Sequence, residues 1–228
     1  MILFRKAVLI IHGFAGGTYD EEKLANFLEK NSRLDVYTFT LPGHEKKTLH
    51  TPKYTDWVRC SENQIEMLIK YGYKDIYLIG HSMGGVIASY LSTKYKQVKK
   101  VVLAAPAFNY LTMDGNNSKL ETIKKGISVI KNNDKDEIIS RFLKLPLSSV
   151  SEFTKLVQKY KNIYKKITVP ILILHGNKDT LVPLQSSINI YETLNVYKKQ
   201  IIVLDGITHD IFREVGNETL EKIESFLI

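Results

Sequence analysis

The chain has 228 residues, 44% of them hydrophobic and 25% charged, with 32 Lys+Arg against 24 Asp+Glu and a net charge of +8. A chain of this length buries about 70% of the surface its unfolded form exposes. It can therefore fill a core as a single domain of residues 1–228, and its composition excludes collagen, a coiled coil and a disordered polymer. The lone cysteine, Cys60, excludes an internal disulfide and a multi-cysteine zinc site, and fits a reducing compartment.

The first apolar run, residues 6–11, reads as a strand. It is far short of the about 20 residues of a membrane span and of a secretory h-region of about 7–15. It leads into His12-Gly13-Phe14-Ala15-Gly16-Gly17 with no small-residue cleavage site, so we expect mature structure, no membrane span and a cytoplasmic protein. Residues 20–29 place Leu24, Phe27 and Leu28 at helical spacing, and residues 35–40 form a second strand. After Leu41-Pro42-Gly43-His44, residues 55–70 repeat the helical spacing with Val58, Ile65, Leu68 and Ile69; Trp57 reads as a packing anchor and Cys60 as a structural thiol. Residues 75–79 are a third strand, 86–94 a helix and 99–104 a fourth strand. Strands at 170–174 and 200–204 alternate with helices at 184–194 and 214–227. The strands alternate poorly between apolar and polar, as strands covered on both faces do. Strand–helix alternation with right-handed crossovers gives a parallel, doubly wound sheet.

The alternation breaks once, at residues 107–166, which are too many for a plain crossover. Helical patterns at 120–131, 137–143 and 150–164 make this stretch an inserted helical cap. It carries 11 Lys and one Arg against six acidic residues, a net of +6, so three-quarters of the +8 sits here. A basic chain raises the question of nucleic acid. However, 27 of the 32 cations are Lys, whereas Arg is the usual choice for bidentate recognition, and no nucleic-acid motif is present. We expect no nucleic-acid partner.

The third strand runs into Gly80-His81-Ser82-Met83-Gly84-Gly85 and then a helix, a G-x-S-x-G motif in the strand–turn–helix context that gives it meaning. The chain reverses so sharply at the serine that residues two before and two after must be small. A hydroxyl is a weak nucleophile and needs a base, and the base needs an orienting acid. An elbow of this form takes them in the order Ser, acid, His, each just past a strand. Asp179 follows the fifth strand and His209 the sixth, so the candidate catalytic residues are Ser82, Asp179 and His209. His12, His44, His50, His81 and His175 compete for the base, and Asp205 and Asp210 for the acid, but position and order favour His209 and Asp179. The oxyanion donors are assigned to the backbone N–H groups of Phe14 and Met83. Phe14, Met83, Phe108, Tyr110, Leu181 and Ile211, all near these loops, are the candidate substrate-pocket residues.

These motifs, with Gly176-Asn177-Lys178-Asp179 and Thr208-His209, resemble the α/β-hydrolase superfamily, and within it small bacterial carboxylesterases related to monoacylglycerol lipases. The resemblance covers essentially the whole chain and is weakest over the insertion. It implies the α/β-hydrolase fold: a compact six-stranded parallel sheet flanked by helices, in the order 2-1-3-4-5-6, with a small helical cap after the fourth strand. Larger members carry two leading strands, whereas this chain starts on the strand before the oxyanion loop. The activity implied is carboxylesterase hydrolysis of short- to medium-chain esters through an acyl-serine. It needs no metal and no organic cofactor, and its partner is a small-molecule ester. The alternatives are a thioesterase, lysophospholipase or monoacylglycerol lipase with the same triad, a haloperoxidase or lyase on the same fold, and a non-catalytic binding protein.

Overall fold

The computed structural model describes residues 5–45, 51–109 and 146–228. Strand β1 (Lys6–Ile11) is followed by a 3₁₀ turn (Thr18–Asp20), helix α1 (Glu22–Asn31), strand β2 (Leu34–Thr38), helix α2 (Tyr54–Lys70), strand β3 (Asp75–His81), helix α3 (Met83–Lys94) and strand β4 (Val98–Ala104). Helix α4 (Leu147–Tyr160) and a second 3₁₀ turn (Ile163–Lys166) lead to strand β5 (Ile171–Gly176), helix α5 (Leu184–Thr193), strand β6 (Lys199–Leu204) and helices α6 (Ile211–Glu214) and α7 (Asn217–Leu227). The helical patterns at 120–131 and 137–143, and Tyr110, lie outside the described residues.

The strands form one parallel sheet in the order β2-β1-β3-β4-β5-β6, as the resemblance implies. β1 pairs with β2 on one side (Val8 opposite Val36) and β3 on the other (Val8 opposite Tyr77). The strand order therefore reverses at β1, and a crevice opens beyond the carboxyl ends of β1 and β3, where such sheets place their sites.

The poor alternation of the interior strands has a direct cause: both faces are covered. Ala7, Leu9 and Ile11 of β1 pack with Ile76, Leu78, Val101, Leu103, Ile171 and Ile173 under α2, α3, α4 and α5. Val8 and Ile10 face the other way, with Tyr77, Ile79, Val102, Ala104, Leu172 and Leu174, under α1, α6 and α7. Edge strands β2 and β6 are only partly covered. Each helix presents its buried residues at three- and four-residue spacing: Leu24 and Leu28 in α1, and Trp57, Ser61, Ile65 and Leu68 in α2. Helix α3 is the exception. Met83 to Ser89 are buried without a break, because β3, β4 and α4 enclose it.

Two expected helices differ in outline. The stretch expected at 150–164 begins at Leu147, directly after Pro146, whose fixed φ suits the entry to a helix, and ends at Tyr160. The helix expected at 214–227 is two pieces. Val215 turns to an extended conformation (φ −64°, ψ 145°), buries its side chain in the second layer, and Gly216 starts α7 afresh. Cys60 is half-buried in α2. No helix among the described residues is long and apolar enough to cross a membrane.

Candidate active site

Ser82 sits between β3 and α3 with φ +52° and ψ −114°, outside the regions an L-residue ordinarily adopts. Such strain persists only where the surroundings over-determine it. Here the Ser82 N–H donates to the Ala104 carbonyl at 2.8 Å, and the Ser82 carbonyl accepts from the N–H groups of Gly85 (3.0 Å) and Ala107 (3.1 Å). The flanking glycines are a matter of space. A Cβ on Gly80 would lie 2.4 Å from the Gly84 carbonyl oxygen, and one on Gly84 would lie 2.1 Å from that of Ile11. A side chain at Gly84 would force the elbow off β1, and one at Gly80 would force the start of α3 off β3.

Asp179 and His209 meet across the ends of β5 and β6. His209 Nδ1 lies 2.7 Å from Asp179 Oδ2. Asp179 Oδ1 accepts the N–H groups of Leu181 and Val182, both at 2.9 Å. Burial alone would raise the Asp179 pKa. The charge of His209, hydrogen bonds from His175 and His209, and the Val182 N–H outweigh it and hold the carboxyl below its usual range. Asp179 is therefore a carboxylate, which can only accept, so His209 Nδ1 is the proton donor of the pair. His175 backs the acid. Its Nε2 is 2.9 Å from the Val182 carbonyl, which can only accept, and 3.3 Å from Asp179 Oδ2, while its Nδ1 is 2.7 Å from Ser187 Oγ.

The loop after β1 approaches the serine closely: a Cβ on Gly13 would lie 3.1 Å from Ser82 Cβ. Met83 is the first residue of α3, and the first N–H groups of a helix have no acceptor within it. His12 anchors the loop. Burial, aided by His44 and His81, pulls its pKa down to about 3, so the ring is neutral. Nδ1–H donates to the Gly13 carbonyl (2.8 Å), and Nε2 accepts the Leu41 N–H (3.0 Å). The Phe14 ring stacks on Phe153 of α4 at 4.8 Å and meets Trp57 (5.7 Å) and His44 (5.9 Å) edge-on. Trp57 is fully buried and its Nε1–H donates to the Pro42 carbonyl at 2.8 Å. Phe108 meets Tyr164 edge-on at 5.0 Å.

On the other side of the serine the groups are titratable, and burial raises the pKa of Glu21. His81 Nε2 lies 2.9 Å from the His209 carbonyl oxygen and Nδ1 3.2 Å from Glu21 Oε1. Burial would lower the His81 pKa; Glu21, Asp210 and the His209 carbonyl push it up to about 9. Arg213 reaches Asp20 (3.6 Å) and Asp210 (3.8 Å).

Of the six pocket candidates, the structure gathers Phe14, Met83 and Phe108 in the α2–α5 layer. Leu181 is buried in the turn after β5. Ile211 departs from the expectation: it is fully buried in the opposite layer with Phe212 and Leu220, because α6 folds back under the sheet. Tyr110 lies outside the described residues. Phe153 and Glu21, absent from the sequence reading as site residues, and His175, weighed there only as a rival base, are brought near the site by folding. His175 alone carried a signal, being a histidine four residues before the acid. Among the described residues no cluster of His, Cys, Asp or Glu could hold a metal ion.

Residues 6–148 match the family model described as alpha/beta hydrolase fold, and residues 111–216 match one described as serine aminopeptidase, S33. The chain is 25% identical over 244 residues to a carboxylesterase of Bacillus subtilis, covering 96% of this chain and 94% of the relative. It is 26% identical over 174 residues to a monoacylglycerol lipase of Mycolicibacterium smegmatis, covering 66% and 61%. The crystal structure of Paleococcus ferrophilus monoacylglycerol lipase superposes with a TM-score of 0.73 at 21% identity, covering 97% of this chain and 93% of that one.

Proposed function

The chain belongs to the α/β-hydrolase fold family, and within it we propose a serine hydrolase of the carboxylesterase type. In this reading it cleaves esters of short to medium acyl chains through an acyl-serine intermediate. One observation carries it: a serine held at φ +52° at the head of α3 shares a sheet edge with a histidine whose Nδ1 is bonded, at 2.7 Å, to a buried carboxylate. The carboxylesterase and monoacylglycerol lipase relatives support the choice of substrate class.

In the proposed mechanism Ser82 Oγ attacks the ester carbonyl while His209 Nε2 takes its proton. Asp179 holds the ring in the Nδ1–H tautomer and stabilises the imidazolium. The Phe14 and Met83 N–H groups receive the oxyanion; losing such a donor costs about 10²- to 10³-fold in kcat. His209 returns the proton to the leaving alcohol, and a water, deprotonated by His209 in turn, attacks the acyl-serine; the C–O bond to Ser82 breaks, the acid leaves and His209 returns the proton to Ser82 Oγ. The segment 107–166 is proposed to cap the site, with Phe14, Met83, Phe108, Leu181 and Phe153 around the acyl chain.

The test is Ser82→Ala with a panel of p-nitrophenyl esters and p-nitroanilides. Ester hydrolysis should fall by about 10⁴- to 10⁶-fold with the thermal midpoint preserved, and a fluorophosphonate should label the wild type alone. Retention of activity within tenfold would remove Ser82 from the mechanism, and faster anilide than ester cleavage would replace the esterase reading with a peptidase one.

A second reading has its own support. Lys155, Lys159, Lys161, Lys165 and Lys166 are all exposed on α4 and the turn after it, against Glu152. A basic cap favours a substrate carrying a phosphate, as a lysophospholipase or acyl-CoA thioesterase would take.

A further inference from the structure

Glu21, His81 and His209 lie on three separate stretches at the carboxyl edge of the sheet: the end of the oxyanion loop, the elbow and the loop after β6. All three are buried, at 1%, 2% and 3% exposure. The His209 carbonyl can only accept, so His81 Nε2 carries a proton and donates to it across 2.9 Å. Nδ1 shares the second proton with Glu21 Oε1 at 3.2 Å. The other charged groups around this couple are Asp20, Asp210 and Arg213, and the Phe212 ring closes it from below at 5.7 Å. Packing alone does not call for an imidazole here. A buried polar ring is costly unless its partners are made, and an aliphatic side chain would fill the same space.

The connectivity has a consequence for the chemistry. His81 is joined by one peptide bond to Ser82, and its side chain holds the peptide of His209. The Asp179 bond fixes the buried His209 ring at Nδ1, and the ring of His81 lies 5.1 Å from it. A second fixed point, on the His209 backbone, sets where Nε2 falls relative to the Ser82 hydroxyl. We propose that His81 is a positioning residue: its Nε2–H bond to the His209 carbonyl sets the distance between nucleophile and base, and Glu21 steadies the His81 ring from the oxyanion-loop side. This rests on the Ser82–His209–Asp179 reading above.

Two near-isosteric variants separate the roles of the two ring nitrogens. His81→Gln keeps a donor where Nε2 stood and loses the contact to Glu21; His81→Asn does the reverse. We expect His81→Gln, which loses only the Glu21 contact, to lose about 3- to 10-fold in kcat, and His81→Asn to lose about 10²-fold, as a displacement of about 1 Å in a reacting group does. KM should hold within about twofold in both, since no substrate contact is removed. The rate of fluorophosphonate labelling should follow kcat. Glu21→Ala provides a second measurement that leaves the His81–His209 bond in place: kcat should fall about 3- to 10-fold at constant KM, a fraction of the loss for a full displacement. Equal kcat in His81→Gln and His81→Asn would overturn the proposal, as would an unchanged kcat in Glu21→Ala or a loss confined to KM. Wild-type protein that resists the fluorophosphonate would instead overturn the triad reading.

Discussion

On the α2–α5 side of the sheet aromatic rings pack near the Ser82 elbow, and on the α1–α7 side titratable and charged groups do. Phe14, Trp57, Phe153, Phe108 and Tyr164 make the first side. Glu21, His81, Asp20, Asp210 and Arg213 make the second. Beneath them the two layers are alike, both continuous apolar cores from alternate residues of the same strands. The contrast therefore belongs to the loops and to α4, not to the sheet. It suits a reaction with two demands: an acyl chain wants an apolar wall that excludes water, and a base that moves protons wants fixed dipoles and a fixed tautomer. The elbow stands on the boundary, with Gly13 against it on one side and the His81–His209 bond on the other.

The sharpest way to break the polar side is Asp179→Asn. An amide can donate to His209 Nδ1, which would place the ring proton on Nε2, where it cannot accept from serine. We expect kcat to fall about 10⁴-fold with the fold intact, measured on a p-nitrophenyl ester. The same variant has a stability signature. The folded-state pKa of Asp179 is depressed, so the carboxylate contributes stability that is present above the ordinary aspartate range and is lost as pH falls through the folded value. Thermal midpoints from pH 7 down to pH 3 should drop less in Asp179→Asn than in the wild type. An equal drop would mean that Asp179 is not linked to folding.

The aromatic side is tested by a matched pair from the two layers. Phe153 is 2% exposed against Phe14, and Ile211 is fully buried in the opposite layer. Replacing either with Ala opens a cavity, at about 3–5 kcal/mol for Phe and 2–5 kcal/mol for Ile, so both should lower the thermal midpoint. Only Phe153→Ala should also change selectivity. We expect kcat/KM for the longer acyl chains to fall roughly 10-fold relative to acetate, the low end of what pocket contacts discriminate. If Ile211→Ala shifts the chain-length profile as much, the two layers are coupled and the division drawn here fails.

What the sequence reveals of this molecule follows the same division. The strands, the elbow and the Asp179 and His209 loops are legible because each is a local signal: an apolar run, a glycine spacing, a residue just past a strand; the strand order comes from the family resemblance. A parallel sheet then does the assembly, since its strands all end at one edge. The two walls are not local. Phe14 and Phe153 are 139 residues apart in the chain, and Glu21 reaches His81 across 60. No periodicity connects them. An isolated phenylalanine in a helix pattern reads as core, and Ile211, two residues after His209 in sequence, turned into the opposite core because α6 is a single turn folded under the sheet. Proximity along the chain misled where the backbone reverses.

The smallest expected effect concerns the charge above the aromatic side. The five exposed lysines of α4 and the following turn extend the basic character of the segment 107–166 over the described residues. If they draw a phosphate-bearing substrate, the attraction acts at long range and fades as the screening length shrinks from about 30 Å at 0.01 M salt to about 8 Å at 0.15 M. Then kcat/KM for an acyl-CoA or a lysophospholipid should decline a few-fold over that range, while a neutral p-nitrophenyl ester of the same chain length should not respond. Reversing Lys161, Lys165 and Lys166 to Glu should remove the decline and leave the neutral ester untouched, because these side chains are exposed and outside the aromatic wall. A salt response common to both substrates would point to the stability of the fold instead. No response in either would leave the neutral ester as the substrate that the apolar wall selects.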